Sequence, residues 1–201
     1  MSSKAPRIAV VYHSGYGHTQ KQAEAVAAGA RQAAGAQVVL IPVAEAEARI
    51  DEINAADAII FGAPTYVGSA SAAFKGFMEY SAKIWYAQGW KDKLAAGFTT
   101  SGSQSGDKLA TLSQLSVFAA QHGMIWVGLD LLPGNNNSKG SVNDLNRLGS
   151  WLGAMAQANG DEGPDVAPIG SDLATASHLG KRVAELAAQF VRGRQRELVD
   201  A

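Results

Sequence analysis

Ile8-Ala9-Val10-Val11-Tyr12-His13-Ser14-Gly15-Tyr16-Gly17-His18-Thr19 holds a strand, a loop and the start of a helix in one short stretch. Residues 8–12 are continuously apolar rather than alternating, as a central strand covered on both faces requires. From His18 to about residue 34 the chain is alanine-rich and helix-favouring, and Gly35 ends that helix. A buried strand that turns through small and hydroxylic residues into a helix N-terminus makes an anion seat. The first helical N–H groups have no intrahelical partner, and the helix dipole places partial positive charge there. Gly15 and Gly17 let backbone amides crowd a phosphate, while Ser14, Tyr16 and Thr19 offer hydroxyl donors.

Two nucleotide motifs fail here. A dinucleotide fingerprint needs a third glycine where Gln20 stands, and a P-loop needs a Gly-Lys-Ser/Thr ending that is absent. What remains, S-x-x-G-x-T after the first strand, resembles the phosphate loop of flavodoxin-like proteins. An ordinary strand-to-helix turn is the alternative for this motif taken alone.

Further strands are expected over 37–43, 58–62, 94–99 and 124–128, and helices over 50–55, 71–85, 107–121 and 172–191. Helix 71–85 carries Phe74, Phe77 and Met78 on one side, and helix 107–121 carries Leu109, Leu112, Leu115 and Phe118. Leu179, Val183, Leu186 and Phe190 make one apolar stripe on the last helix. Segment 132–170, rich in Gly, Asn, Ser and Pro, reads mainly as loop, and the charged tail 192–201 is expected to fray. Five strands alternating with helices give an α/β fold, a doubly wound parallel sheet with helices on both faces. A single domain is expected over 1–201, its core over about 7–191.

Composition narrows the function. A formal net charge of −1 argues against nucleic-acid binding by phosphate neutralisation, and against a shuttle steered by a strongly acidic face. With no cysteine there is no disulfide, thiolate nucleophile or sulfur-ligated metal. No spaced His/Asp/Glu cluster indicates any other metal site, and no serine sits in a nucleophile elbow. The polar start 1–6 does not read as a signal peptide, and no apolar run approaches the roughly 20 residues of a membrane span, so a cytoplasmic protein is expected.

In open parallel sheets ligands bind beyond the carboxyl ends of the strands. Beyond strand three lies Pro64-Thr65-Tyr66-Val67-Gly68-Ser69, with a proline to fix the turn and a tyrosine to present an aromatic face. Beyond strand four lies Thr100-Ser101-Gly102-Ser103-Gln104-Ser105-Gly106, small and hydroxylic almost throughout, suited to hugging a flat ring edge. Together with the first loop these point to an FMN site.

The order Y-x-S-x-Y-G-H-T, F-G-A-P-T-Y-V-G, S-G-S-Q-S-G and H-G-M-I-W-V-G resembles the WrbA-type NAD(P)H:quinone oxidoreductases of the flavodoxin-like superfamily. The similarity covers nearly the whole chain, including 152–164, which ordinary flavodoxins lack. It implies the strand order 2-1-3-4-5, FMN as cofactor, NADH or NADPH as donor, and a homotetramer built as a dimer of dimers. It implies that Ser14, Tyr16, Gly17, His18 and Thr19 hold the FMN phosphate. Pro64, Thr65, Tyr66, Val67 and Gly68 would border the isoalloxazine and ribityl chain. Ser101, Gly102, Ser103, Gln104 and Gly106 would wrap the pyrimidine edge, with His122 near the ring where substrate enters. Trp85 matches an aromatic that reaches the pocket of a neighbouring subunit. The sequence departs from the family at Tyr66, where an arginine is common, in a shorter loop between strands two and three, and at 132–137.

Of the four histidines, His122 is the candidate to hydrogen-bond a quinone oxygen as charge develops there. His13 and His178 read as structural or solvated, and His18 as a backbone donor. Trp85, Tyr86 and Trp90 read as core or interface aromatics, with Trp85 and Trp90 in an exposed group. The expected reaction passes hydride from the nicotinamide to FMN and two electrons on to a quinone, with no nucleic-acid or membrane partner. The alternatives are a flavodoxin-type one-electron carrier and an NADPH-dependent FMN or azo reductase. A non-catalytic binding protein finds no DNA-reading motif to support it.

Overall fold

The computed structural model describes residues 5–200, with side chains through 194. The chain begins β1 (Arg7–Tyr12), α1 (His18–Ala30) and β2 (Gln37–Pro42), then a 3-10 turn Val43–Glu45 and α2 (Ile50–Asn54). It continues through β3 (Ala58–Tyr66), β4 (Ser69–Ala70), α3 (Ala72–Tyr80), α4 (Ala82–Tyr86), β5 (Leu94–Ser101) and α5 (Lys108–Gln121). β6 (Ile125–Trp126), β7 (Ala154–Gln157) and α6 (Gly170–Asp200) complete it.

The parallel path β2-β1-β3-β5-β6 is the expected order, because β4 is only a short antiparallel return on β3. Successive side chains of β1 point to opposite faces, and the molecule uses both. Ile8, Val10 and Tyr12 pack with Val26, Ala27, Leu179 and Val183 of α1 and α6. Ala9 and Val11 pack with Ile59, Phe61, Phe74, Trp90, Leu112 and Phe118 on the other face. Burial on both sides is why β1 reads as an unbroken apolar run.

The edge position differs from expectation. The strand expected over 124–128 pairs for two residues only, Leu94 with Ile125 and Ala95 with Trp126. The carboxyl half of β5 pairs instead with β7, from Phe98 with Ala154 to Ser101 with Gln157. Two segments laid end to end share one strand's place, and 127–153 forms an excursion between them. Buried Asn146 pins that excursion: its amide side chain donates to Leu131 O and Ser150 O and accepts from Ser150 N, and its N–H donates to Thr175 Oγ1. Its backbone carbonyl takes the Gly149 N–H, so every polar group of that residue has a partner within the protein.

Other expectations shift at their boundaries. Strand three runs to Tyr66, so Pro64 and Thr65 belong to a strand rather than a loop. The helix expected over 71–85 breaks at Ser81, whose hydroxyl donates to Met78 O. α6 runs from Gly170 to Asp200, and the fraying expected over 192–201 falls mostly beyond the described side chains, which end at 194. Phe190 is 40% exposed while Val191 is buried, so the α6 stripe drifts by one position over its last turns.

Candidate functional site

A cleft of about 390 Å³ opens at the carboxyl ends of β1, β3 and β5, within the range of small-molecule sites. Ser14, Tyr16, His18 and Thr19 line it from the first loop, Pro64 and Tyr66 from the end of β3, and Thr100, Ser101 and Gly102 from the end of β5. A fourth wall, from Ala158 to Pro164, follows β7. The separation of β7 from β6 is what brings that wall to the cleft.

At the first loop Ser14 Oγ accepts the amides of Gly17 and Gln20, each at 3.1 Å, and so shapes the helix entry. The first intrahelical bond is made by Lys21 N to Gly17 O, so the amides of His18 and Thr19 precede the ladder. Gly17 sits at φ 89°, and a Cβ there would lie 2.9 Å from Pro164 Cγ in the fourth wall. His18 Nδ1 donates to Ala167 O at 2.8 Å, so its ring holds that wall while its amide stays on the helix end. Among the described residues no lysine or arginine lines the cleft, and Glu162 is the single formally charged one that does. The donors that this end of the cleft presents are amides and hydroxyls.

At the end of β3, Tyr66 meets Tyr16 edge to face, ring centroids 6.2 Å apart. Burial raises the pKa of the Tyr66 hydroxyl, Tyr16 adds to the rise, and the backbone amide of Gly15 opposes it. Thr65 does not face the cleft. Its hydroxyl is buried against those of Thr99 and Thr111, each at 2.8 Å, locking β3, β5 and α5 beneath the floor. Val67 (φ 49°) and Gly68 (φ 77°) form the two-residue tip of the β3–β4 hairpin, outside the cleft lining. Val67 is a fully exposed β-branched residue in a left-handed conformation, a strained position.

The segment after β5 divides. Ser101 and Gly102 line the cleft, whereas Ser103 and Gly106 do not. Gly106 instead packs under Ser101, whose Oγ would lie 1.9 Å from an added Cβ. Gln104 borders a second, larger hollow with Leu109 and Trp151. Beneath the loop lies a residue that sequence reasoning missed. Lys108 is fully buried and donates to Ser101 Oγ at 2.9 Å and Ser103 O at 2.6 Å. Burial lowers its pKa to about 8; Asp172 opposes the fall and Arg147 adds to it. Its position was a signal, since 108, 111, 112 and 115 share the buried face of α5. Gln22 was also missed. It accepts from Thr100 Oγ1 at 2.7 Å and donates to Ala154 O, joining α1, β5 and β7.

His122 is not in the cleft. It ends α5 and precedes β6, and a residue that leads into a parallel strand lies at the amino edge of the sheet, opposite the site. It is 2% exposed, packed on Trp90 (4.4 Å) and Phe118 (4.8 Å), with Nε2 bonded to Ser81 Oγ and Nδ1 without a partner. Burial lowers its pKa to about 4. Trp90 is likewise fully buried, its indole N–H donating to Asn54 Oδ1, so it is no part of an exposed group. Trp85 is partly exposed on α4 and does not line the cleft. His13 bonds Ser71 Oγ, and His178 pairs with Asp130. Among the described residues no group of three or more His, Asp or Glu side chains converges on a metal position. No helix among them is long and apolar enough to cross a membrane.

A flat ring with a phosphate tail fits this donor set. There is a cation-free helix end for the phosphate, a proline and two tyrosines for apolar faces, and hydroxyl and amide groups at the third wall.

Residues 6–137 match the family described as NADPH-dependent FMN reductase. A flavodoxin FldP of Pseudomonas aeruginosa is 40% identical over 90% of this chain and 96% of its own. An NAD(P)H dehydrogenase (quinone) of Paracoccus denitrificans is 35% identical over 94% of this chain and 98% of its own, and one of Archaeoglobus fulgidus 35% over 92% and 98%. A solved flavodoxin, WrbA-like protein from Agrobacterium tumefaciens shares 40% identity at a TM-score of 0.69, covering 94% of this chain and 99% of that one.

Proposed function

The chain belongs to the NADPH-dependent FMN reductase family, and from that premise we propose that it is an FMN-dependent NAD(P)H:quinone oxidoreductase. The observation that carries the reading is the convergence of three carboxyl-edge segments on one cleft whose anion seat is a helix N-terminus without cations. An FMN held there would supply two-electron chemistry between a reduced nicotinamide as donor and a quinone as acceptor.

The chain's own residues supply binding and orientation. The amides of His18 and Thr19, with the hydroxyls of Ser14 and Tyr16, take the phosphate, and Gly17 keeps the loop against the fourth wall. Pro64 and Tyr66 bound the ring, and Ser101 and Gly102 meet its pyrimidine edge. Thr65 stiffens the floor from behind; Ser103, Gln104 and Gly106 shape the loop; Val67 and Gly68 stand at the rim. We place the chain in one domain, in the cytoplasm where reduced nicotinamides are available, and as a homotetramer in which Trp85 reaches a neighbouring site. Partly exposed Trp85 beside exposed Tyr86 supports that last assignment.

The test is an anaerobic absorbance titration of the FMN-loaded protein with NADPH and separately NADH, followed by one equivalent of benzoquinone. Bleaching in one two-electron step and full recovery on quinone addition are expected. The 40% identity to a flavodoxin favours one other reading, a one-electron carrier. No bleaching with either nicotinamide, and a long-lived one-electron form under dithionite, would establish the carrier and overturn the oxidoreductase.

A further inference from the structure

Lys108, Arg147 and Asp172 lie buried together behind the third wall of the cleft, and their charges do not balance. Asp172 is already held twice by Arg147, Nε and Nη2 each at 2.8 Å, and takes the Gln157 N–H at 2.9 Å. Lys108 bonds only neutral oxygens, Ser101 Oγ and Ser103 O. Two cations and one carboxylate leave one positive charge with no counter-ion of its own among the described residues. Burying a charge without an anion is costly, and a lysine that stays protonated in such a place needs compensation from nearby. With a pKa held near 8, Lys108 is protonated at neutral pH. Ser101, to which it donates, lines the cleft.

We propose that Lys108 is an electrostatic positioning residue for the reduced cofactor: it fixes the Ser101–Ser103 wall and sets a buried positive charge behind the edge where reduction creates a negative one. The inference rests on the FMN reading above. Two electrons and one proton entering the flavin ring from the nicotinamide leave one net negative charge, spread over the pyrimidine side. Lys108 acts on that charge through Ser101 and through its own field in a low-dielectric wall, where fixed charges act strongly. The reduced state is therefore held more tightly than the oxidised one, and the two-electron potential of bound FMN is raised.

The experiment measures the dissociation constant of oxidised FMN, by fluorescence quenching on the apoprotein, and the midpoint potential of the bound cofactor, by dye equilibration. The proteins are the wild type, Lys108→Met and Lys108→Arg, with Lys108→Gln replacing the methionine variant should that one not fold. Loss of the charge should weaken reduced FMN about tenfold more than oxidised FMN, a potential about 30 mV lower. Lys108→Arg should restore most of the difference. Equal weakening of both redox states, with an unchanged potential, would reduce Lys108 to a loop prop and overturn the inference alone. A wild-type protein that takes up no FMN would overturn the parent reading and the inference with it.

Discussion

An imidazole buried without a partner for Nδ1 is held neutral by its surroundings, and that fixes the sign of its effect on stability. His122 titrates near 4 in the fold, against 6.5 when unperturbed. Between those values the unfolded chain binds the extra proton and the folded one does not, so stability falls as pH falls. The slope reaches about 1.4 kcal/mol per pH unit, and the loss totals roughly 3 kcal/mol by pH about 4; above about 6.5 the effect vanishes. Urea unfolding of the apoprotein at neutral and at mildly acidic pH should show this loss in the wild type and much less of it in His122→Leu, where Ser81 keeps its bond to Met78 O. His13, whose pKa burial also lowers, is common to both proteins and cancels in the difference. The leucine variant should also keep its quinone reductase activity per bound FMN; a large loss there would return His122 to the site. Gly17 behaves oppositely. A valine at φ 89° and 2.9 Å from Pro164 strains the loop and pushes away the fourth wall. Gly17→Val should weaken FMN binding at least about tenfold, near 1.4 kcal/mol, in a fluorescence titration. Normal flavin affinity in that variant would remove the phosphate from this loop.

Two helices on one face of the sheet approach so closely that a methyl group decides their packing. A Cβ on Gly29 of α1 would lie 1.8 Å from Ser177 O of α6, and one on Gly180 of α6 would lie 1.9 Å from Val26 O. Both obstacles are backbone, which no rotamer change relieves. Gly29→Ala and Gly180→Ala should each cost at least about 2 kcal/mol through overpacking, read as a lower urea midpoint at unchanged slope. Helix propensity alone predicts the opposite sign, since alanine exceeds glycine by about 1 kcal/mol in a helix interior. The same distinction explains what was legible in the sequence. β1, β3 and β5 announce themselves because burial on both faces needs long apolar runs, β2 by its shorter run Val38–Ile41 at the sheet edge, and the first loop because small and hydroxylic residues follow β1 at a helix entry. β7 is four residues, Ala154-Met155-Ala156-Gln157, and its place is set by pairing with Phe98–Ser101 rather than by local pattern. Without β7 there is no fourth wall, so Glu162 and Pro164 could not be placed at the cleft from periodicity. His122 was misplaced for a topological reason: a motif beside a strand has an edge, and this one lies before the strand. Lys108 escaped notice because a lysine in a first turn reads as solvated until the face it shares with Leu112 and Leu115 is known.

Charge over the whole molecule separates the two ways a flavin protein of this fold can pass on electrons. A carrier that docks on large partners gains its encounter rate from a strong field, and its rate falls steeply as salt screens that field. This chain has 17 basic and 18 acidic residues, a formal net charge of −1, and a cleft whose lining holds one formally charged side chain. A small quinone entering such a cleft is steered by little beyond diffusion and apolar contact. Raising the ionic strength from about 0.01 M to about 1 M shortens the screening length from about 30 Å to about 3 Å. Over that range the quinone reductase kcat/KM of the FMN-loaded protein should change by less than about threefold, whereas a field-steered encounter is slowed by at least about tenfold. The measurement is a salt series of NADPH-driven reduction of a sulfonated, anionic quinone in a neutral salt, with flavin content checked at each point. A flat profile fits a molecule that takes small substrates in turn at one cleft. A steep fall would mean that the encounter depends on a surface field, which is how a carrier works, and the cleft would then be only the place where the cofactor is stored.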